Sequence, residues 1–175
     1  LYRDTSSPVV TPYLGKGTDT VVGVPAGSNT PKPGGISVAS LPGIVVDDTQ
    51  AKLKGTWGAT GNLTPFVGTG YRYAGPGANA SARFEFRVPT AGKYQVRIAW
   101  IGHENRTSKA PVTIERAGQS PMKLRLNQKT SPKEGEAFNT IGVFDFPAGD
   151  AAIVFSTEGA DGNVHIDAVQ LIEQR

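Results

Sequence analysis

Four aromatic rings and a few amide and guanidinium groups are the side chains of this sequence whose types and placing suit contact with a ligand. Trp57 stands among glycines, Tyr71 and Tyr73 flank Arg72, and Trp100 ends an apolar run. Two polar segments, His103-Glu104-Asn105-Arg106 and Asn127-Gln128, follow stretches of alternating apolar residues. An aromatic ring binds a sugar by stacking on its apolar C–H face, while amides and guanidiniums satisfy the hydroxyls at its rim. Trp57, Tyr71, Tyr73, Asn105, Arg106, Asn127 and Gln128 are therefore the candidate ligand-binding residues. Trp100 continues the inward register of Tyr94, Val96 and Ile98 and is expected in the core. Tyr71 and Tyr73 have equal claims as platform and as core filler. Asn105, Arg106, Asn127 and Gln128 either meet a ligand or brace the backbone of their own loops, since buried amides need partners.

Acidic residues raise the question of a metal. Asp47 and Asp48 end the first apolar run, and Asp167 shares a face with Val169 and Leu171 in the last. These three are candidate ligands for a structural calcium ion, which collects carboxylates and backbone carbonyls. Against that, no alternating Asp run of the EF-hand type is present, and Arg or Lys can pair the same groups. No other cofactor is expected. Catalytic motifs are missing: His103 and His165 are too few for a metal triad, no Gly-x-Ser-x-Gly elbow occurs, and nothing pairs Glu104 with Glu158 across a cleft. The glycine-rich stretch 61–70 lacks the Lys-Ser/Thr of a phosphate-binding loop and reads as turns. With 0 cysteines, disulfides and thiolate chemistry are excluded.

The elements that must position these groups are strands. Phe84, Phe86 and Val88 alternate with Arg83, Glu85 and Arg87, and Tyr94, Val96, Ile98 and Trp100 alternate with Lys93, Gln95, Arg97 and Ala99. That period of two marks half-buried strands. The stretch from Lys93 to Gln128 reads as a three-stranded meander, with a polar loop at 102–109 and a turn at Ala117-Gly118-Gln119. Short strands between Gly, Pro and Asp-Gly turns run from Ile44 to Ile172, and no segment reads as a helix. The expected fold is all-β, a jelly-roll-like antiparallel sandwich over residues 43–175. Residues 1–42 are crowded with Pro, Gly, Ser and Thr and read as an extended arm or linker, in which Val21 to Val24 could add a short strand and Tyr2 and Tyr13 could pin the arm to a surface.

A net charge of +3, with Lys and Arg scattered along the chain, gives no basic patch for nucleic acid. No stretch approaches the roughly 20 apolar residues of a membrane helix. The chain opens on Leu1 rather than Met, as expected of a fragment or a processed product, and an extracellular or periplasmic location is expected.

The order of Asp47-Asp48, Gly55-Thr56-Trp57, Gly70-Tyr71, Pro89 to Tyr94, Trp100, Asn105 to Ile114, Asn127-Gln128, Gly142 to Gly149 and Gly162 to Val169 resembles the golvesin C-terminal-like domain, also described as a xanthan-lyase-like accessory domain. Asn105-Arg106-Thr107, the Asn127-Gln128 pair and the closing Val164 to Val169 are its most specific parts. The resemblance implies a non-catalytic β-sandwich similar to carbohydrate-binding modules, attached to a larger bacterial enzyme: a polysaccharide lyase, a peptidoglycan or peptide hydrolase, or an FAD-dependent oxidoreductase. The implied partners are a polysaccharide or cell-wall glycan and the parent catalytic domain. The alternative is a structural module that packs on that domain and binds no free ligand. Where the family has a Trp after the Asn-Gln loop, this chain has Ala137-Phe138.

Overall fold

The period-2 alternation becomes two packed sheets in the computed structural model, which describes residues 33–133 and 136–175. The strands are β1 (Gly35–Ile36), β2 (Ile44–Asp47), β3 (Lys52–Lys54), β4 (Gly58–Thr60), β5 (Phe66–Val67), β6 (Tyr71–Ala74), β7 (Ser81–Val88), β8 (Gly92–Ala99), β9 (Ala110–Arg116), β10 (Met122–Leu126), β11 (Phe138–Phe146), β12 (Gly149–Ser156), β13 (Val164–Ile166) and β14 (Ala168–Gln174). A five-stranded sheet runs β10-β9-β12-β7-β3, and a four-stranded sheet runs β11-β8-β14-β2. Every pairing within these two sheets is antiparallel. Among the described residues the helical pieces are two 3-10 turns, Val38–Ser40 and Asp48–Gln50.

Between the sheets lies one apolar core. Phe84, Phe86 and Val88 from β7 meet Tyr94, Val96 and Ile98 from β8, together with Ile114, Ile153, Phe155, Val169 and Leu171. Rings interlock edge to face, with Phe84 and Phe155 centroids 5.7 Å apart and Tyr94 and Phe146 5.8 Å apart. Trp100 is buried as expected, and its indole N–H donates to the Thr130 carbonyl at 2.9 Å. Arg83, Glu85 and Arg87 face outward and pair with Lys52, Glu115 and Asp150.

The structure corrects the sequence-based topology in two places. The expected meander is divided: β8 pairs with β11 and β14 in one sheet, whereas β9 pairs with β10 and β12 in the other. Only β9 and β10 form the expected hairpin. The loop between β8 and β9 crosses from sheet to sheet, and the alternation that reveals a strand's inner face does not name its partner. The final run is also broken. Its first part, β13, pairs with β6, and its second, β14, pairs with β2 and β8. The break falls at Asp167, whose carboxylate turns inward to accept the Val67 N–H at 3.1 Å.

Residues 35–41, assigned to the arm on composition, belong to the folded body. β1 pairs in parallel with β5, and Ile36, Val38 and Leu41 cover a second apolar cluster of Val67, Ala99, Ala137, Phe138 and Ala168. Gln170 ties this strap down by donating to the Pro42 carbonyl at 2.8 Å. Phe138, at the position of the family's Trp, is buried there, with the Arg97 guanidinium 5.2 Å from its centroid. Val21 to Val24, Tyr2 and Tyr13 lie outside the described residues.

Candidate functional site

At one end of the sandwich a small sheet, β13-β6-β4, carries the aromatic strand and meets the loop that follows β8. Two loops are sewn together there. Arg106 bridges Asn163, the Thr107 N–H donates to the Asn163 carbonyl at 2.9 Å, and the Asn163 N–H donates to the Asn105 carbonyl at 3.0 Å. Asp161 clamps the pair by accepting from the Thr107 hydroxyl at 2.6 Å and the Ser108 N–H at 2.8 Å. The hydroxyls of Ser108 and Thr107 hold its carboxyl well below the usual range. The approach is close enough to require glycine, since a Cβ on Gly162 would lie 2.6 Å from the Arg106 carbonyl oxygen.

Beneath the loops is a buried polar layer. Gln128 donates to the His165 carbonyl at 2.7 Å and accepts the His165 N–H at 2.8 Å, so its amide extends the strand ladder of β13. The His165 ring packs on Tyr71 with centroids 4.2 Å apart, and its Nδ1 accepts the Ile101 N–H at 3.2 Å. Burial, and then the charge of Arg106, push the imidazole down to about 3, so it is neutral. Its Nε2 is buried with no partner. Arg106 lies 5.8 Å from the Tyr71 centroid, and its Nη1 donates to Asn105 Oδ1 at 3.0 Å.

Above this layer opens a concavity of about 320 Å³. Tyr71, Tyr73, Asn105 and Arg106 line it, with Asn163 opposite and Thr60, Asn62 and Leu63 completing the wall. Four of the seven candidate residues thus converge. Tyr73 is 38% exposed, and its ring rests on Gly58, where a Cβ would come within 2.6 Å of Cζ. Tyr71 contributes an edge only, being buried against His165. The other three candidates lie outside the concavity. Trp57 is partly buried against the core and spends its indole N–H on the carbonyls of Lys54 and Ser81 at 3.2 and 3.3 Å. Asn127 is exposed in the next loop and caps Lys129 N–H at 3.0 Å. Gln128 is wholly internal, and both ends of its amide are spent on His165.

Asn163 and Thr60 carried no signal in the sequence, because only the loop pairing and the β4–β6 register bring them to Arg106 and Tyr71. Among the described residues no carboxylate lines this concavity. A larger one, about 530 Å³, lies on the outer face of the five-stranded sheet. It is lined by charges that pair with one another, such as Arg83 with Glu115 at 2.7 Å, and offers no exposed aromatic ring.

The carboxylates of Asp47, Asp48 and Asp167 come together as buried groups whose nearest oxygens all lie within 4.8 Å of one another. Asp47 caps the second 3-10 turn and accepts the Thr49 N–H at 3.2 Å. Asp48 Oδ2 lies 2.8 Å from Arg72 Nε. Burial and then the charge of Asp47 outweigh Arg72 and push Asp48 up to about 7, and burial raises Asp167 well above the usual range. Asp47 Oδ1 and Asp48 Oδ1 have no donor. An all-oxygen set of this kind suits a hard divalent cation such as calcium.

The comparisons agree with the fold and with the family. The chain is 28% identical over 156 residues to the xanthan lyase of Bacillus sp. (strain GL1), an alignment that takes in 83% of this chain and 16% of that enzyme. The structure of Paenibacillus xanthan lyase superposes with a TM-score of 0.66 at 32% identity, over 75% of this chain and 13% of that one. The chain therefore spans a minor part of those relatives. A family 35 carbohydrate-binding module from Clostridium thermocellum shares the fold alone, with a TM-score of 0.50 at 12% identity over 75% of this chain and 98% of the module. The family model for the golvesin C-terminal domain matches residues 44–173, and the chain belongs to that family.

Proposed function

We propose that this domain is a non-catalytic accessory module of a larger bacterial enzyme, acting outside the cytoplasm, and that it binds polysaccharide or cell-wall glycan in the concavity between Tyr73 and Arg106. One observation carries the reading: a part-exposed ring, Tyr73, shares one concavity with Asn105, Arg106 and Asn163, residues that carry amide and guanidinium groups. Such a site supplies stacking for a sugar's C–H face and hydrogen bonds for its hydroxyls. Among the described residues the concavity is lined by amides, hydroxyls, rings and a guanidinium-bearing residue rather than by the paired acids that glycoside cleavage uses, as a binding site would be. The alternative, a structural module docked on its parent domain, would be favoured by a contiguous apolar patch. Among the described residues the exposed large apolar side chains are Leu53 on β3, Val143 on β11, and Leu63 and Tyr73, which come together only at the polar-lined concavity.

The Asp47, Asp48 and Asp167 cluster is a candidate seat for structural calcium, supported by its two unpartnered buried oxygens. The cation would neutralise crowded carboxylates where β2 and β14 meet and has no assigned role in ligand contact. The functional reading is tested by retention of the full chain on insoluble polysaccharides and on a glycan array that includes xanthan, the polymer for which the relatives are named. Retention on one polymer class, weakened in Tyr73→Ala with unchanged thermal unfolding, supports it. No retention on any polymer overturns it in favour of interdomain packing.

A further inference from the structure

The concavity contains a charge that nothing nearby balances. Arg106 is 5% exposed, and among the described residues it is the arginine that falls in the buried class. Arg72, Arg83 and Arg87 each lie within 3.1 Å of a carboxylate oxygen, whereas no described carboxylate pairs with Arg106. Asp161, on the loop sewn to Arg106, is already committed to Thr107 and Ser108. Arg106 donates to a neutral amide, Asn105, and its Nε is buried with no partner at all.

Burying a cation without an anion is costly, and folded chains almost always pair such groups. Here the fold accommodates the charge in another way, by keeping the adjacent His165 imidazole neutral and setting the Tyr71 ring 5.8 Å from the guanidinium. Both devices tolerate the cation without consuming it. Arg106 is left among the residues that line a concavity already offering a ring and three amide side chains, those of Asn62, Asn105 and Asn163.

We propose that the ligand of this concavity is an acidic saccharide, one bearing a carboxylate such as a uronic acid, and that Arg106 receives that carboxylate. The inference rests on the glycan-binding reading and narrows it. A planar carboxylate matches the guanidinium fork, and a charge-assisted bond in a partly dry site is about twice as strong as a neutral one. Tyr73 then stacks on the ring of the same sugar, and Asn105 and Asn163 take its hydroxyls.

The test compares a uronate tetrasaccharide with the same tetrasaccharide after its carboxyls are reduced to alcohols, titrated calorimetrically into the native full chain. The expected result is affinity weaker by about 10- to 100-fold for the reduced sugar, the range of one charge-assisted bond. Arg106→Gln should abolish the difference between the two sugars and Arg106→Lys should restore part of it. If Arg106→Gln fails to fold, carboxyl reduction on the native chain still decides. Equal affinity for both sugars, or retention on neutral polymers alone, overturns the acidic assignment and leaves the glycan reading standing. No binding to acidic or neutral sugars overturns both.

Discussion

Replacing Asp48 by Asn should change how stability depends on pH, by an amount that the buried cluster sets. A carboxyl whose folded pKa lies above its unfolded one binds a proton in the fold and loses that stabilisation as pH rises through the folded value. For Asp48, moved from 3.8 to about 7, the whole effect is on the order of 4 kcal/mol at ~1.4 kcal/mol per pH unit. Linkage assigns more than half of that loss, about 2–3 kcal/mol, to the interval from about pH 5 to about pH 8. Asp167, raised by burial, pulls in the same direction. His165 pulls the other way: its pKa is lowered from 6.5 to about 3, so its share of stability grows as pH rises through that interval. Asp167 and His165 are present in both chains, and their contributions largely cancel in the comparison. Urea unfolding in EDTA should therefore show Asp48→Asn gaining about 2–3 kcal/mol on the parent between about pH 5 and about pH 8, by linkage. Calcium should raise the parent's stability at the higher pH, where the carboxylates are ionised, and do little at the lower. Parallel pH profiles for parent and variant would refute the account of Asp48 as a carboxyl desolvated by burial.

Three further outcomes follow from the site. Tyr73→Ala should weaken glycan binding by about 2- to 10-fold, the range of one lost ring contact, with an unchanged melting temperature, as read by affinity electrophoresis. Gln128→Ala leaves the His165 N–H and carbonyl unpaired in the interior, and should cost about 2–4 kcal/mol by urea unfolding. Gly162→Ala places a Cβ 2.6 Å from the Arg106 carbonyl oxygen. It should therefore lower both the melting temperature and glycan affinity, because the loops that carry Asn105 and Asn163 must part.

Which faces are buried was legible in the sequence, because alternation in Ala82 to Val88 and Tyr94 to Trp100 maps directly onto the inner side of a sheet. Which strands pair was not. The polar loop after Trp100 reads equally well as a wide hairpin or as a crossing between sheets, and the crossing appears only when β9 finds β12. Tyr73, Asn105 and Arg106 were legible as candidates because a ring can stack and a loop amide or guanidinium can bond a ligand, but core filling and loop bracing were also open to them in sequence. Asn163 was not legible, since 57 residues separate it from Arg106 and only the Asp161 clamp and Gly162 join the two loops. Gln128 is ambiguous in sequence, because a side-chain amide has the donor and acceptor of a peptide group and can replace one inside a ladder. The strap at 35–41 was hidden by composition: Pro and Gly surround Ile36, Val38 and Leu41, three apolar residues too few to set a period.

The most direct test of the account is an NMR titration of the chain with a glycan that it retains, following backbone amide shifts. Binding in the proposed concavity predicts the largest changes at Thr60, Asn62, Tyr73, Asn105, Arg106 and Asn163, with the outer face around Arg83, Glu115 and Asp150 unmoved. Shifts centred on that charged face, or on Trp57 and Asn127 with the concavity silent, would contradict the account.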